Sequence, residues 1–144
     1  MISGVPKDWS LHPQLERDTA PVGDLPLTRV LLMNDSNYPW LVLVPRQPGL
    51  TELTDLEENA QGQLMAEIAR TMGALKSAAA CDKLNVAALG NAVPQLHVHI
   101  IARRKTDAAW PKPVWGVAPP IAYEAAARES LIETLRHGLQ ISKL

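Results

Sequence analysis

A glutamine and two histidines, Gln95, His97 and His99, follow one another at intervals of two residues. The apolar residues among them predict a strand over residues 93–103. Since successive side chains of a strand point to opposite faces, these three polar side chains would share one face. The Cα atoms of His97 and His99 would lie about 6.5–7 Å apart. Two imidazoles at that spacing can contact one small group, such as a phosphate or a metal ion.

Three kinds of site are compatible with this row of side chains. The plainest is a pair of hydrogen-bonded surface histidines with no chemical role. A metal site is the second, but a catalytic zinc needs three protein ligands. The other candidate ligands, His12, His137 and Cys81, lie on segments with no evident reason to converge on the strand, and no carboxylate stands in ligand spacing beside the pair. We therefore expect no metal.

The third kind of site is nucleophilic, with one imidazole attacking phosphorus to form a covalent intermediate that water resolves. The second histidine and the amide of Gln95 would hold the phosphate oxygens. Backbone N–H groups of the loop at residues 90–92 are placed to hold anionic oxygen as well. Asn91 in this loop is either a phosphate ligand or only a cap for the loop.

Periodic apolar patterns predict the elements that must position these side chains. Strands are expected at 27–34, 40–44, 84–89 and 93–103, and helices at about 55–80 and 122–140. A capping box, with Thr54 as N-cap and Glu57 three residues later, marks the first helix. The order of strands, helix, strands and helix favours an α+β fold with a mostly antiparallel sheet and two main helices.

Composition narrows the class of protein. Apolar residues make up 47% of the 144 residues and charged residues 20%, and the formal net charge is −1. This usage is typical of a folded domain, and the near-neutral charge argues against polymeric nucleic acid as a partner. A lone cysteine, Cys81, fits a reducing compartment, so a cytoplasmic location is expected. No apolar run approaches the ~20 residues of a membrane span, so no membrane partner is expected.

Residues 95–101, Gln-Leu-His-Val-His-Ile-Ile, resemble the motif of the histidine triad (HIT) family, His-φ-His-φ-His-φ-φ, where φ is apolar. Every position matches except the first. The resemblance extends over about residues 27–116, and residues 110–116 are similar to a bacterial branch in which glutamine also opens the triad. It implies a HIT-like fold, here one domain over residues 1–144 with an N-terminal extension to about residue 26 and a C-terminal helical segment from about residue 117.

The resemblance implies catalytic roles for the row. His97 would attack the α-phosphorus of a nucleotide, and His99 would bind phosphate and assist the leaving group. Gln95 replaces the first histidine of the triad and cannot carry a proton charge near neutral pH, so an acid role there is lost. Trp40 and its neighbours stand where many members have Pro-Gly-His, so that further histidine is absent too.

Three further residues are candidate substrate ligands. Asn34 and Asp35 match the strand end that contacts the nucleotide ribose in the family, although a role in the turn alone would also explain them. Arg103 could balance a polyphosphate, and its alternative is an ordinary charged strand end.

The resemblance implies a nucleotide hydrolase or nucleotidyl transferase that acts on dinucleoside polyphosphates, such as diadenosine polyphosphates, or on nucleoside phosphoramidates. It would need no cofactor and would form a homodimer with a continuous larger sheet. The alternative is a nucleotide-binding or regulatory module that lost efficient catalysis together with the first histidine.

Overall fold

A five-stranded antiparallel sheet is the frame of the protein, which a computed structural model describes over residues 5–144. The helices are α1 (Pro13–Asp18), α2 (Glu58–Ala78) and α3 (Ala125–Leu139). The strands are β1 (Thr19–Asp24), β2 (Thr28–Met33), β3 (Trp40–Pro45), β4 (Lys83–Ala87) and β5 (Val98–Arg103). The predicted α+β fold with two main helices is confirmed. No helix in the described part is long and apolar enough to cross a membrane.

The strand that carries His99 lies inside the sheet. The strand order is β1-β2-β3-β5-β4, so β5 pairs with β3 on one side and β4 on the other. His99 is opposite Val42 on β3 and Ala87 on β4. Because an interior strand is hydrogen-bonded on both sides, the backbone under His99 is held firmly.

The two faces of the sheet bury two separate apolar cores. Helices α2 and α3 cover one face, where Leu96, Val98 and Ile100 belong to the larger core. The opposite face is covered by the N-terminal segment and by residues 104–116, and Ile101 lies in this smaller core. The predicted alternation along β5 is therefore confirmed, and the histidines are on the face without the long helices.

The strand at the histidine row is shorter than predicted. It begins at Val98, so Gln95 and His97 precede it in an irregular segment. The reason is visible at Leu96, whose N–H donates to the carbonyl of Leu50 in a loop, not to a neighbouring strand (3.0 Å). The row nevertheless keeps His97 and His99 on the same side of the sheet.

The prediction that α2 begins at a capping box with Thr54 as N-cap is wrong. Leu53–Asp55 forms a turn of 3₁₀-helix, and α2 begins at Glu58 with Glu57 as N-cap. The carboxylate of Asp55 accepts hydrogen bonds from the N–H of Thr51 (3.0 Å) and of Glu52 (2.9 Å). These local bonds stabilise a separate 3₁₀ turn at this point, and α2 starts only after it.

Strand β1 has no counterpart among the sequence-based predictions. It lies at the edge of the sheet, and its pairing with β2 shifts between Pro21 and Gly23. An edge strand tolerates proline because one side of it needs no hydrogen bond. A Cβ at Gly23 would lie 2.7 Å from the carbonyl oxygen of Ser142, so glycine lets the C-terminal segment pass close to the strand.

Candidate active site

His97 and His99 meet at the wall of a cavity on the face without the long helices. Their ring centroids are 4.8 Å apart with the planes at 74°, and the residues are only 6% and 5% exposed. The cavity has a volume of about 330 Å³ and is also lined by Met33, Trp40 and Trp115. Two nearly buried imidazoles therefore edge a pocket with apolar walls.

The ring of His97 has its tautomer fixed by the backbone. Its Nδ1 is 2.6 Å from the carbonyl oxygen of Gln95. A carbonyl only accepts, so Nδ1 must carry the hydrogen and donate it. In the neutral ring Nε2 is then left with a free lone pair, which is the state a nucleophile needs.

His99 is held in the opposite tautomer by an indole. The Nε1–H of Trp40 donates to Nδ1 of His99 at 3.0 Å, and an indole N–H can only donate. Burial, and secondarily the neighbouring His97, lower the pKa of His99 to about 4. His99 is therefore neutral near pH 7, with its hydrogen on Nε2 as a hydrogen-bond donor.

The indole rings of Trp40 and Trp115 pack against the ring of His99. The centroid of Trp40 is 5.6 Å from that of His99, the centroid of Trp115 is 5.0 Å from it, and the two indoles are 5.7 Å apart. All three contacts are near T-shaped, an arrangement that aromatic quadrupoles favour. The indoles contribute to the burial of His99, which is the main cause of its low pKa.

A second cavity of about 320 Å³ adjoins the first, since Met33, Trp40 and Trp115 line both. Asn34 and Asp35 line this second cavity, as the predicted ribose contact requires.

Both side chains also hold the chain itself. Oδ1 of Asn34 accepts from the N–H of Tyr123 (3.1 Å), and Oδ1 of Asp35 accepts from the N–H groups of Asn37 (3.0 Å) and Ile121 (3.3 Å). Both residues therefore have the structural role considered for them from the sequence, in addition to lining the cavity.

Gln95 does not direct its amide to the other two members of the row. Its Oε1 accepts from the N–H of His12 at 2.8 Å, and its Nε2 donates to the carbonyl of Ser10 at 2.9 Å. Asn91, by contrast, lines the cavity of His97 and His99. The structure brings Asn91 to the histidines and turns the Gln95 side chain to the N-terminal segment.

Arg103 is not brought to the site. It is 1% exposed, and its guanidinium pairs with Asp107 (2.8 Å) and donates to Asn85 (2.8 Å). Burial opposes the shift, but hydrogen bonds from Arg103 and three backbone N–H groups lower the pKa of Asp107 to about 2. This geometry gives Arg103 a structural role in place of the predicted contact with phosphate.

The groups that set the tautomer of each imidazole were not identified from the sequence. Trp40 was seen only as the residue in place of a family histidine, and Asp18 and Leu15 of α1, which line the histidine cavity, were not considered. The lack of any phenylalanine beside four tryptophans was the available signal, because each tryptophan then needs a reason. No three His, Cys, Asp or Glu side chains cluster for a metal within residues 5–144.

Comparisons with known proteins identify the family of the chain. A family model described as the HIT domain matches residues 14–106. A histidine triad protein from Bradyrhizobium japonicum is 59% identical and has a TM-score of 0.90, covering 91% of this chain and 98% of its own.

Two other solved structures are similar over comparable lengths. A histidine triad protein from Marinobacter aquaeolei VT8 is 42% identical with a TM-score of 0.89, covering 93% of this chain and 98% of its own. A histidine triad protein from Sinorhizobium meliloti 1021 is 38% identical, also with a TM-score of 0.89, covering 91% and 97%. No curated protein matches the chain.

Proposed function

Because this chain belongs to the HIT domain family, we propose that it is a nucleotide hydrolase or nucleotidyl transferase that acts through His97. One observation carries the proposal. The carbonyl of Gln95 holds the hydrogen of His97 on Nδ1 and leaves Nε2 with its lone pair at a cavity wall. A neutral imidazole fixed in this way is ready to attack without first losing a proton.

The proposed reaction has two balanced steps. Nε2 of His97 attacks the α-phosphorus of the nucleotide, and the bond from phosphorus to the leaving group breaks. The leaving group departs with that electron pair and takes a proton from water. Water then attacks the phosphorus, the P–N bond breaks, and its electron pair returns to Nε2. The proton lost by the attacking water neutralises the hydroxide left by the first step. The products are a nucleoside monophosphate and the free leaving group.

His99 is suited to hold a phosphoryl oxygen. As a neutral ring with hydrogen on Nε2 it donates a hydrogen bond that strengthens as charge develops on that oxygen. Its low pKa argues against a role as a proton donor near pH 7, since the cation would be scarce. Asn91 and the adjoining backbone of residues 90–93 would hold the other oxygens.

The adjoining cavities fit a nucleoside. Trp115 and Met33 provide apolar surface, and Asn34 and Asp35 provide polar atoms for ribose hydroxyls in the second cavity. Dinucleoside polyphosphates and nucleoside phosphoramidates are the proposed substrate classes, since both place a leaving group on an α-phosphorus. No cofactor is part of the proposal.

We also propose a cytoplasmic homodimer. The edge strand β4 has one unpaired side, and Val86 on this strand and Leu89 just after it are exposed. An unpaired strand edge with apolar side chains is suited to pair with a second copy. The single free cysteine, Cys81, is compatible with a reducing compartment.

The test is His97→Ala, with His137→Ala on the exposed side of α3 as the matched histidine control. Turnover of adenosine phosphoramidate and of diadenosine polyphosphates should fall at least about a thousandfold in the first variant, because the proposed nucleophile is removed. The control should keep the rate. Melting temperature and nucleotide affinity, measured by calorimetry, should change little in either.

Intact-mass spectrometry of rapidly quenched reactions supplies a second readout. The native protein should show the added mass of one nucleotidyl group, and His97→Ala should not. Equal turnover in His97→Ala would refute the proposal. Tight nucleotide binding by the native protein without turnover of either substrate class would favour the alternative of a regulatory binding module.

A further inference from the structure

The side-chain amide of Gln95 ties the histidine row to a distant part of the chain. Its two hydrogen bonds reach Ser10 and His12, which are 85 and 83 residues away in sequence. One bond accepts a backbone N–H and the other donates to a backbone carbonyl. A planar amide offers an acceptor and a donor side by side, so it can satisfy both groups at once.

A histidine at this position could not make the same pair of contacts. The two ring nitrogens of an imidazole point away from each other, and the neutral ring has one donor and one acceptor. It could bond Ser10 or His12 but could not span both. The glutamine that departs from the triad pattern therefore has a specific use in this structure.

The segment that Gln95 holds, residues 9–18, forms part of the cavity wall. The ring of His12 caps α1 by accepting the N–H of Gln14 (3.0 Å). Leu15, buried on α1, and Asp18 at its end line the cavity of His97 and His99. Placement of α1 therefore sets one side of that cavity.

The backbone of Gln95 acts on the nucleophile at the same time. Its carbonyl accepts the Nδ1–H of His97, while its side chain is fixed by the N-terminal segment. We propose that Gln95 is a positioning residue that couples docking of residues 9–18 to the orientation of the His97 ring. Docking of the segment keeps the carbonyl aimed at Nδ1, and loss of docking releases it.

The sharpest test breaks one hydrogen bond of the link. His12 has φ −55°, which proline can adopt, so His12→Pro replaces the N–H that donates to Gln95 with a ring Cδ, which also displaces the amide oxygen. His12→Ala is the matched reference, since it loses the same imidazole but keeps the N–H. Any difference between the two variants reports the link to Gln95.

Two measurements follow the link without reference to catalysis. The Nδ1–H proton of His97 is observable by NMR when hydrogen-bonded, and it should exchange with water at least about tenfold faster in His12→Pro than in His12→Ala. Backbone amide exchange over residues 9–18 should likewise be faster in His12→Pro than in His12→Ala. Gln95→Ala should resemble His12→Pro in both measurements.

The catalytic effect rests on the proposed function and is measured separately. For a nucleotide that the native protein turns over, kcat should be about two- to tenfold lower in His12→Pro than in His12→Ala. This is the range expected for one neutral hydrogen bond. Equal exchange of the His97 ring proton in His12→Pro and His12→Ala would overturn the positioning role. Faster exchange in a protein that turns over neither substrate class would uphold the coupling and refute only the proposed function.

Discussion

At the scale of single residues, His97 and His99 show how one side-chain type takes two states within one cavity. A carbonyl can only accept, so it fixes hydrogen on Nδ1 of His97, whereas an indole can only donate, so it fixes hydrogen on Nε2 of His99. Nothing within the motif itself distinguishes the two rings. Their partners, the backbone of Gln95 and the side chain of Trp40, leave one ring with a free lone pair on Nε2 and the other with an Nε2–H that can donate.

The low pKa of His99 predicts a dependence of stability on pH. The folded value is about 4 against 6.5 for the free side chain, so below pH 6.5 the unfolded chain binds a proton that the folded protein does not. Above pH 6.5 this difference in proton binding disappears. As the pH falls from 6.5 to 4, the difference should lower the free energy of unfolding increasingly, by up to about 3 kcal/mol. Urea unfolding at pH 7 and at pH 4 measures it.

His99→Asn is the control for this prediction, because its Oδ1 can still accept from Trp40 but the side chain does not titrate. The loss of stability between pH 7 and pH 4 should be smaller in the variant than in the native protein by that amount. The same loss in both proteins would show that His99 is not the group responsible.

At the scale of elements, periodicity was a good guide and local signals were not. The apolar repeats of α2 and α3 and the apolar runs of β2 and β3 come from each element's own burial, so the sequence contains them. Strand β1 was missed because Pro21 and Gly23 are usual breakers, and only its place at the sheet edge makes them acceptable.

The candidate site divides in the same way. The alternation predicted from the sequence for residues 93–103 already placed the two histidines on one face. The partners of Gln95 lie more than 80 residues away in sequence, and the contacts of Asn34 and Arg103 depend on the Tyr123 backbone and on the burial of Asp107. No local pattern contains the long-range contacts of Gln95 and Asn34. Asp107 is only four residues from Arg103, but the burial of that pair is set by the tertiary fold, which explains why Arg103 was a candidate ligand of phosphate.

Glu67 is the polar link between α2 and the sheet. It is 2% exposed, and its carboxylate accepts from the backbone N–H groups of Leu27 and Thr28 (both 2.9 Å) and from the Thr28 hydroxyl (2.7 Å). A buried carboxylate is stable only with such donors. The bonds occupy backbone groups at the start of β2.

Glu67→Ala should therefore destabilise the protein by about 3 kcal/mol, because three donors at the buried end of β2 lose their acceptor and a cavity remains. The control, Glu58→Ala in the exposed first turn of α2, should cost at most about 1 kcal/mol, through the helix dipole. Chemical denaturation of both variants measures the difference. Equal losses would mean that Glu67 is no more than another helix carboxylate.

At the scale of the whole molecule, the two faces of the sheet have separate tasks. Helices α2 and α3 stabilise one face, which leaves the other free for the cavities. Segments from both halves of the chain close that second face. Gln95 holds residues 10–12, and Asn34 and Asp35 hold residues 121–123. Candidate site residues from the sequence thus fasten the segments that surround the cavities of this face.

The last prediction concerns the proposed homodimer and the unpaired edge of the sheet at β4. Val86 on the edge strand β4 is 44% exposed, and Leu53 and Leu89 nearby are exposed at a cavity that also borders His97. If a second copy pairs along β4, a lysine at position 86 would place a charge in the interface. Val86→Lys should shift the protein from dimer to monomer. Light scattering coupled to size-exclusion chromatography measures the mass directly.

Val5→Lys is the matched control, since Val5 is 42% exposed and lies by β1, at the opposite edge of the sheet. It should leave the mass of the native protein unchanged. A monomeric native protein would refute the dimer, and a dimer that survives Val86→Lys would place the interface away from β4. Because the cavity beside β4 borders His97, dissociation in Val86→Lys should also change KM for nucleotide if the partner copy covers that cavity. An unchanged KM in a monomeric Val86→Lys would show that each copy completes its own site.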